Sequence, residues 1–287
     1  SVETVMKARQ KGIEENVDFI IGIGGGSPLD ASKAIALMIA NPEKDESVLY
    51  ESTPLSYIPV ACIPTTCGTG SEVTPYAILT LHKQRTKKSI SHKIYPTAAF
   101  IDGKYLHTAS RANIVNTAVD ALAHLVESYL NTNSNELNRI YSREGLMMWG
   151  SFKDKLLENK ITEEDYNNLM HTSMIGGMAI THTGTSLPHG LSYMVTYELG
   201  VPHGKAVGMF LGGYVSVYKD KREAKNVLKL LGFESCDKFQ SYLKAILGEV
   251  TLPEGMMEKN ADLILANKAK LKNYPFDITR EEIMAMV

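Results

Sequence analysis

Asp18-Phe19-Ile20-Ile21-Gly22-Ile23-Gly24-Gly25-Gly26-Ser27-Pro28-Leu29-Asp30 carries three structural signals in succession. The apolar run through Ile23 reads as a short buried strand, which Gly24-Gly25-Gly26 ends. Ser27 as N-cap, Pro28 at the first helical position and Asp30 three after the cap then begin a helix. Strand, glycine turn and helix N-terminus form an arrangement that binds phosphate. The glycines let backbone N–H groups approach a ligand, and the helix dipole favours its negative charge. The competing reading is a tight β-to-α turn with no ligand, because the third glycine of a G-x-G-x-x-G fingerprint is Ser27 here.

Outward from this stretch, Val2 to Glu15 has apolar residues at helical spacing. Tyr57 to Ile63 reads as a second buried strand, followed by a loop of hydroxyls and glycines, Pro64-Thr65-Thr66-Cys67-Gly68-Thr69-Gly70-Ser71-Glu72. Such a loop can wrap a polar ligand or serve as a solvated connector. Two ligand-capable loops after successive strands fall at the same sheet edge, where open α/β folds bind cofactors. Tyr76 to Leu81 and Thr86 to Ser91 fit a β-hairpin turning at His82 to Arg85, and Ala98 to Asp102 reads as a last strand. From Ser110 the pattern is helical: Ala112–Leu130, Glu136–Leu157, Glu163–Ile180, Ser186–Tyr193 or a little beyond, Lys205–Tyr218 and Lys238–Leu247. The expected fold is therefore α/β, with a partial Rossmann-like unit over residues 1–107 and an all-helical unit over 108–287.

The helical half holds the residues that carry chemistry. Asp120 and His124 sit four apart in an apolar helical context, which puts both on one helix face, about 6 Å apart at Cβ. Pro188-His189-Gly190 and Pro202-His203-Gly204 repeat one pattern fourteen residues apart. On one straight helix their imidazoles would be roughly 21 Å apart. They meet only if the chain turns back, as Gly200 and Pro202 allow. One carboxylate and three imidazoles suit iron or zinc. Against this, Asp120 and His124 could be an ordinary hydrogen-bonded pair, and a lone His in an apolar helix is often a core residue.

The chain has 287 residues, 44% hydrophobic and 22% charged, enough for a substantial core. A net charge of -2 with no Lys/Arg cluster excludes a nucleic-acid footprint. The apolar run Ala34 to Ala40 is far short of the roughly 20 residues that span a membrane. Three cysteines with no C-x-x-C pair, in a chain without a leader-like start, lead us to expect a reducing cytoplasm.

The glycine turn with Leu29-Asp30-Ala31-Ser32-Lys33, the loop Thr65 to Thr74, Asp120-Ala121-Leu122-Ala123-His124 and the two Pro-His-Gly units together resemble the iron-containing (group III) alcohol dehydrogenases. Their order matches too, and the resemblance covers essentially the whole chain. It implies that Asp120, His124, His189 and His203 bind one divalent metal, usually Fe²⁺ and sometimes Zn²⁺. It also implies that Gly24, Gly25, Gly26 and Ser27 with Thr65 and Thr66 hold NAD or NADP, and Asp30, Gly68, Ser71 and Lys93 are assigned to the same site. The implied reaction is hydride transfer between nicotinamide and a small primary alcohol or aldehyde whose oxygen lies on the metal, in a cytoplasmic enzyme able to form a homodimer. The alternatives are a dehydroquinate-synthase-like metal-dependent lyase, against which the Asp-x-x-x-His pair speaks, and a metal-binding fragment that cannot turn over.

Two departures from the family pattern stand out. Family members usually begin with a further βαβ portion, whereas this chain starts at the helix before the glycine-turn strand. The expected missing part would carry a first strand, the acidic residue that selects NAD over NADP, and an edge used in dimerisation. Secondly, many members carry a His four residues after the third ligand, where this chain has Tyr193, and His182 stands at a position that is often Asn. Tyr193 and His182 are the candidate catalytic residues.

Overall fold

The computed structural model describes every residue except Lys83 and Arg85, and leaves the side chains of Ala269 and Lys270 undescribed as well. Helix α1 (Val2–Glu14) leads into β1 (Ile20–Gly24), α2 (Gly26–Ala40) and β2 (Val60–Pro64). β1 and β2 pair in parallel, Ile20 opposite Val60 through Gly24 opposite Pro64, and β5 (Ala98–Ala99) lies on the other side of β2. The antiparallel hairpin of β3 (Ile78–Leu81) and β4 (Thr86–Ser89) pairs Leu81 with Thr86, as expected, and part of its turn lies outside the described residues.

α2 is packed on two sides, which explains why it is apolar nearly all round. Leu29 and Ala36 meet Val60 and Cys62 of β2. Ala34, Leu37 and Met38 meet Val2 and Val5 of α1 and Leu79 of the hairpin. Burying a side chain such as Leu29 or Leu37 contributes about 1.5–3 kcal/mol. Buried Lys33 ties this packing to the following loop, donating to Ser71 Oγ at 2.9 Å, Thr74 O at 2.8 Å and Tyr76 O at 2.8 Å.

Four expectations about this half need correction. The helix begins two residues early: its N-cap is Gly25, with no side-chain cap bond, and Ser27 lies inside the first turn. Asp30 caps nothing and instead accepts from Ser71 Oγ at 2.6 Å and the Ile78 N–H at 2.8 Å. β1 is buried on one face only, since α2 covers Gly22 while Ile21 and Ile23 are 50% and 59% exposed on the other side. β2 starts at Val60, leaving Tyr57 outside the ladder.

From Arg111 onward the described residues form helices and connections. These are α3 (Arg111–Tyr129), α4 (Arg139–Glu158), α5 (Glu163–Thr183), α6 (Leu187–Leu199), α7 (His203–Val217), α8 (Lys221–Leu231), α9 (Cys236–Leu247), α10 (Met256–Leu265), α11 (Lys268–Leu271) and α12 (Arg280–Met284). α3 is the hub. Its residues from Ala118 to Tyr129 are all buried, and it packs against α4, α5 and α7. Trp149 of α4 donates its indole N–H to Ala118 O at 2.9 Å. α6 runs on to Leu199, past the expected end. Gly200 then adopts φ +66 at its C-cap and Pro202 precedes α7, so the chain does turn back between the two histidine motifs. α8, α10 and α12 were not anticipated. α8 buries Ala224, Val227, Leu228 and Leu231 at helical spacing, but its charged first turn hides that stripe. α10, α11 and α12 are short enough to depend on tertiary contacts.

Candidate active site

α3, α6 and α7 each bring one polar side chain to a common point. Asp120 Oδ1 lies 3.4 Å from His189 Nε2 and 3.6 Å from His203 Nε2. All three candidate ligand atoms lie within 4.8 Å of one another. A cation bound about 2.1 Å from each of its ligands would set them roughly 3–3.5 Å apart, so this spacing suits a divalent metal. The donor chemistry agrees. Asp120 Oδ1 and His189 Nε2 are buried without a hydrogen-bond partner among the described residues, a costly condition that a metal would relieve.

His124 lies beside the trio and outside that group. Its ring stacks on His189 with centroids 4.7 Å apart and planes 14° apart, and its Nδ1 is buried and without a hydrogen-bond partner among the described residues. Burial pushes the His124 imidazole down to about 4, and burial also lowers His203, so both stay neutral with a lone pair available at neutral pH. Burial alone would raise the Asp120 carboxyl, but His203, His124 and His189 outweigh it and hold the group well below its ordinary range. For His189, burial pulls down while Glu127 and Asp120 push up more strongly, leaving it raised.

Glu127 escaped the sequence reading. It is fully buried, one helical turn beyond His124 on α3, and contacts His189 Nδ1 with one oxygen while the other accepts the backbone N–H groups of Ser186 and His189, each at 3.1 Å. Its signal was a third polar residue on the Asp120/His124 face, at i+7 from Asp120.

The trio opens onto a cavity of about 410 Å³ shared by both halves of the chain. Gly26, Asp30, Thr69 and Ser71 line it on one side, and Ile180, Thr185 and Tyr193 on the other. Of the expected dinucleotide residues, Gly26, Asp30 and Ser71 thus reach the cavity. Gly24, Gly25, Ser27, Thr65 and Thr66 form the paired loops beside it, where the Thr65 N–H donates to Gly24 O at 2.9 Å. Gly68 is explained by packing, because a Cβ there would lie 2.8 Å from Thr117 O. Tyr193 stacks on His203 at 6.2 Å, and burial raises its phenol to about 12. The structure does not bring Lys93 or His182 to this cavity: Lys93 is exposed, and exposed His182 stacks on Tyr141 instead.

The family description "Iron-containing alcohol dehydrogenase" matches residues 1–103, and "Fe-containing alcohol dehydrogenase family, C-terminal" matches residues 114–287. The chain belongs to the iron-containing alcohol dehydrogenases. These are oxidoreductases acting on CH–OH groups, and the family resemblance read from the sequence holds. A 4-hydroxybutyrate dehydrogenase from Clostridium kluyveri is 31% identical over 288 residues, covering 92% of this chain and 76% of that protein. An NAD-dependent methanol dehydrogenase from Bacillus methanolicus is 29% identical over 193 residues, and the match takes in 67% of this chain and 51% of the relative. The crystal structure of an iron-containing alcohol dehydrogenase from Thermotoga maritima matches with a TM-score of 0.87 and 34% identity, covering all of this chain and 79% of that one. Among the described residues no helix is long and apolar enough to cross a membrane.

Proposed function

We propose that the cavity joining Gly26 and Ser71 to Asp120, His189 and His203 transfers hydride between a nicotinamide dinucleotide and a short primary alcohol or aldehyde. The observation that carries this reading is the convergence of partnerless Asp120 Oδ1 and His189 Nε2 with His203 inside a cavity that also reaches the glycine turn. Asp120, His189 and His203 would hold Fe²⁺, or Zn²⁺ in its place, with His124 as the fourth ligand. Residues 1–107 would supply the dinucleotide side and 108–287 the metal side. The names of the relatives, 4-hydroxybutyrate and methanol dehydrogenases, favour short alcohols and hydroxy acids over bulky ones.

A metal held there would supply positive charge beside the substrate oxygen, and a bound nicotinamide would supply the hydride-exchanging group. The chain's own residues orient and exclude. The N-terminus of α2, which has no side-chain cap bond, would offer its backbone N–H groups, Pro28 excepted, to the pyrophosphate. Asp120 stays ionised among the imidazoles. Tyr193, which stacks on His203 and is protonated at neutral pH, lines the same cavity. Three cysteines, none in a disulfide, support a reducing cytoplasm as its compartment.

The test loads the chain with Fe²⁺ or Zn²⁺ and assays NADH and NADPH against short aldehydes, with metal content measured in Asp120→Ala and His203→Ala. We expect turnover in the wild type and loss of the stoichiometric metal in both variants. Full metal retention by both after dialysis against chelator would refute the ligand set.

A further inference from the structure

α6 begins without a cap of its own: Ser186 stands at the N-cap position, yet its side chain makes no capping bond. The first N–H groups of a helix have no partner within it, and in a buried setting something must satisfy them. Here the acceptor comes from another helix. One oxygen of Glu127, on α3, receives the N–H of Ser186 and the N–H of His189, each at 3.1 Å. The second oxygen faces His189 Nδ1. His189 Nε2, on the opposite side of the ring, then lies 3.4 Å from Asp120 Oδ1.

We propose that Glu127 is the positioning residue of the metal site, fixing through one carboxylate both the start of α6 and the tautomer of His189, so that Nδ1 carries the proton and Nε2 is presented to the metal. This rests on the metal-site reading above. The logic is one of counting donors. Three N–H groups, two from backbone and one from the ring, converge on a carboxylate that has only acceptors. A glutamine has one acceptor oxygen and an NH₂. Whichever way its amide turns, an NH₂ faces at least one of those N–H groups. If it faces Nδ1, the imidazole must move its proton to Nε2, and a protonated nitrogen is no ligand. If it faces the backbone pair, α6 loses its cap and His189 loses its fixed origin.

The experiment uses the full chain, with Zn²⁺ affinity read by competition against a chromophoric chelator, a urea midpoint on the same samples, and side-chain ¹⁵N NMR of the histidines. Glu127→Gln should bind Zn²⁺ about 10- to 100-fold more weakly than wild type, the usual effect of removing a ligand's carboxylate partner. In the zinc-loaded wild type His189 should show a protonated Nδ1 and a metal-bound Nε2. A wild type that binds no Zn²⁺ overturns this proposal together with the metal reading. Wild-type binding with unchanged affinity in folded Glu127→Gln overturns this proposal alone. Should the variant fail to fold, the wild-type spectrum still decides, because metal on Nδ1 or a proton on Nε2 refutes the assignment.

Discussion

Gly204, which follows His203 in the second Pro-His-Gly unit, is where the packing of α7 on α3 leaves the least room. A Cβ built there would sit 1.7 Å from the carbonyl oxygen of Asn116 and 3.3 Å from Asp120 Cβ. Backbone cannot yield as a flexible side chain can. To bring that contact out to 3.0 Å, the start of α7 must move by about 1.3 Å. Metal coordination tolerates only about ±0.2 Å, so Gly204→Ala should withdraw His203 Nε2 from Asp120 and weaken Zn²⁺ at least about tenfold, roughly 1.4 kcal/mol. Overpacking should also cost about 1–3 kcal/mol of stability. The control is Gly200→Ala in the preceding turn. A Cβ there meets nothing within 4 Å, although φ is +66, so it should cost about 1–2 kcal/mol in stability and leave metal affinity unchanged. Chelator competition and urea unfolding on both variants decide. Wild-type Zn²⁺ affinity in Gly204→Ala would refute the claim that this close approach holds His203 in place.

Gly25→Val puts its Cβ 3.2 Å from Thr66 Cγ2 and fills the space between the glycine turn and the threonine loop, so NAD(H) affinity by calorimetry should fall at least about tenfold with metal content unchanged. Equal loss of metal, or no change in nucleotide affinity, would count against the cradle. Glu72 is buried beside the loop, and burial raises its carboxyl to about 7, against the opposing pull of its backbone hydrogen bond and Lys33. Between the ordinary value near 4.5 and 7 the folded chain therefore holds a proton that the unfolded chain has lost, and stability falls as pH rises through that window. Glu72→Gln should remove that slope and stabilise the chain at pH 8, relative to pH 4, by about 3 kcal/mol in urea titrations; parallel pH profiles for variant and wild type would show that Glu72 does not cause it.

The order of the elements was legible because the periodicities are strong. β1, α2, β2, the hairpin and the long helices α3, α5 and α7 fall within a few residues of where spacing put them. The misses share a cause, which is that local rules do not see contacts from elsewhere. Capping chemistry favoured Ser27, but a Cβ on Gly26 would lie 2.8 Å from Thr69 Cγ2 and one on Gly25 3.2 Å from Thr66. The threonines of the loop after β2 crowd any side chain there, and the helix starts at the glycines without a side-chain cap. Asp30, freed from capping, became the anchor for Ser71 and β3. A continuous apolar strand reads as buried on both faces, and nothing in its own sequence says that only α2 would cover it.

At the site, spacing specified faces and not rotamers. Asp120 and His124 share a face of α3 as four-residue spacing requires, and the Gly200 turn brings His203 back to His189 as the repeat demanded. What spacing could not supply is which way each ring is turned. That depends on Glu127, which holds His189 by Nδ1 and commits Nε2 to Asp120 and His203, while His124 lies flat against the same ring. A buried glutamate in an apolar helix has no motif, yet if it is to stay charged at full burial several N–H groups must converge upon it. Three groups do so here, all from the first turn of α6. An acidic residue at i+7 from a candidate ligand, in a helix otherwise too apolar to hold one, is therefore the sequence feature that marks how a neighbouring ligand is oriented.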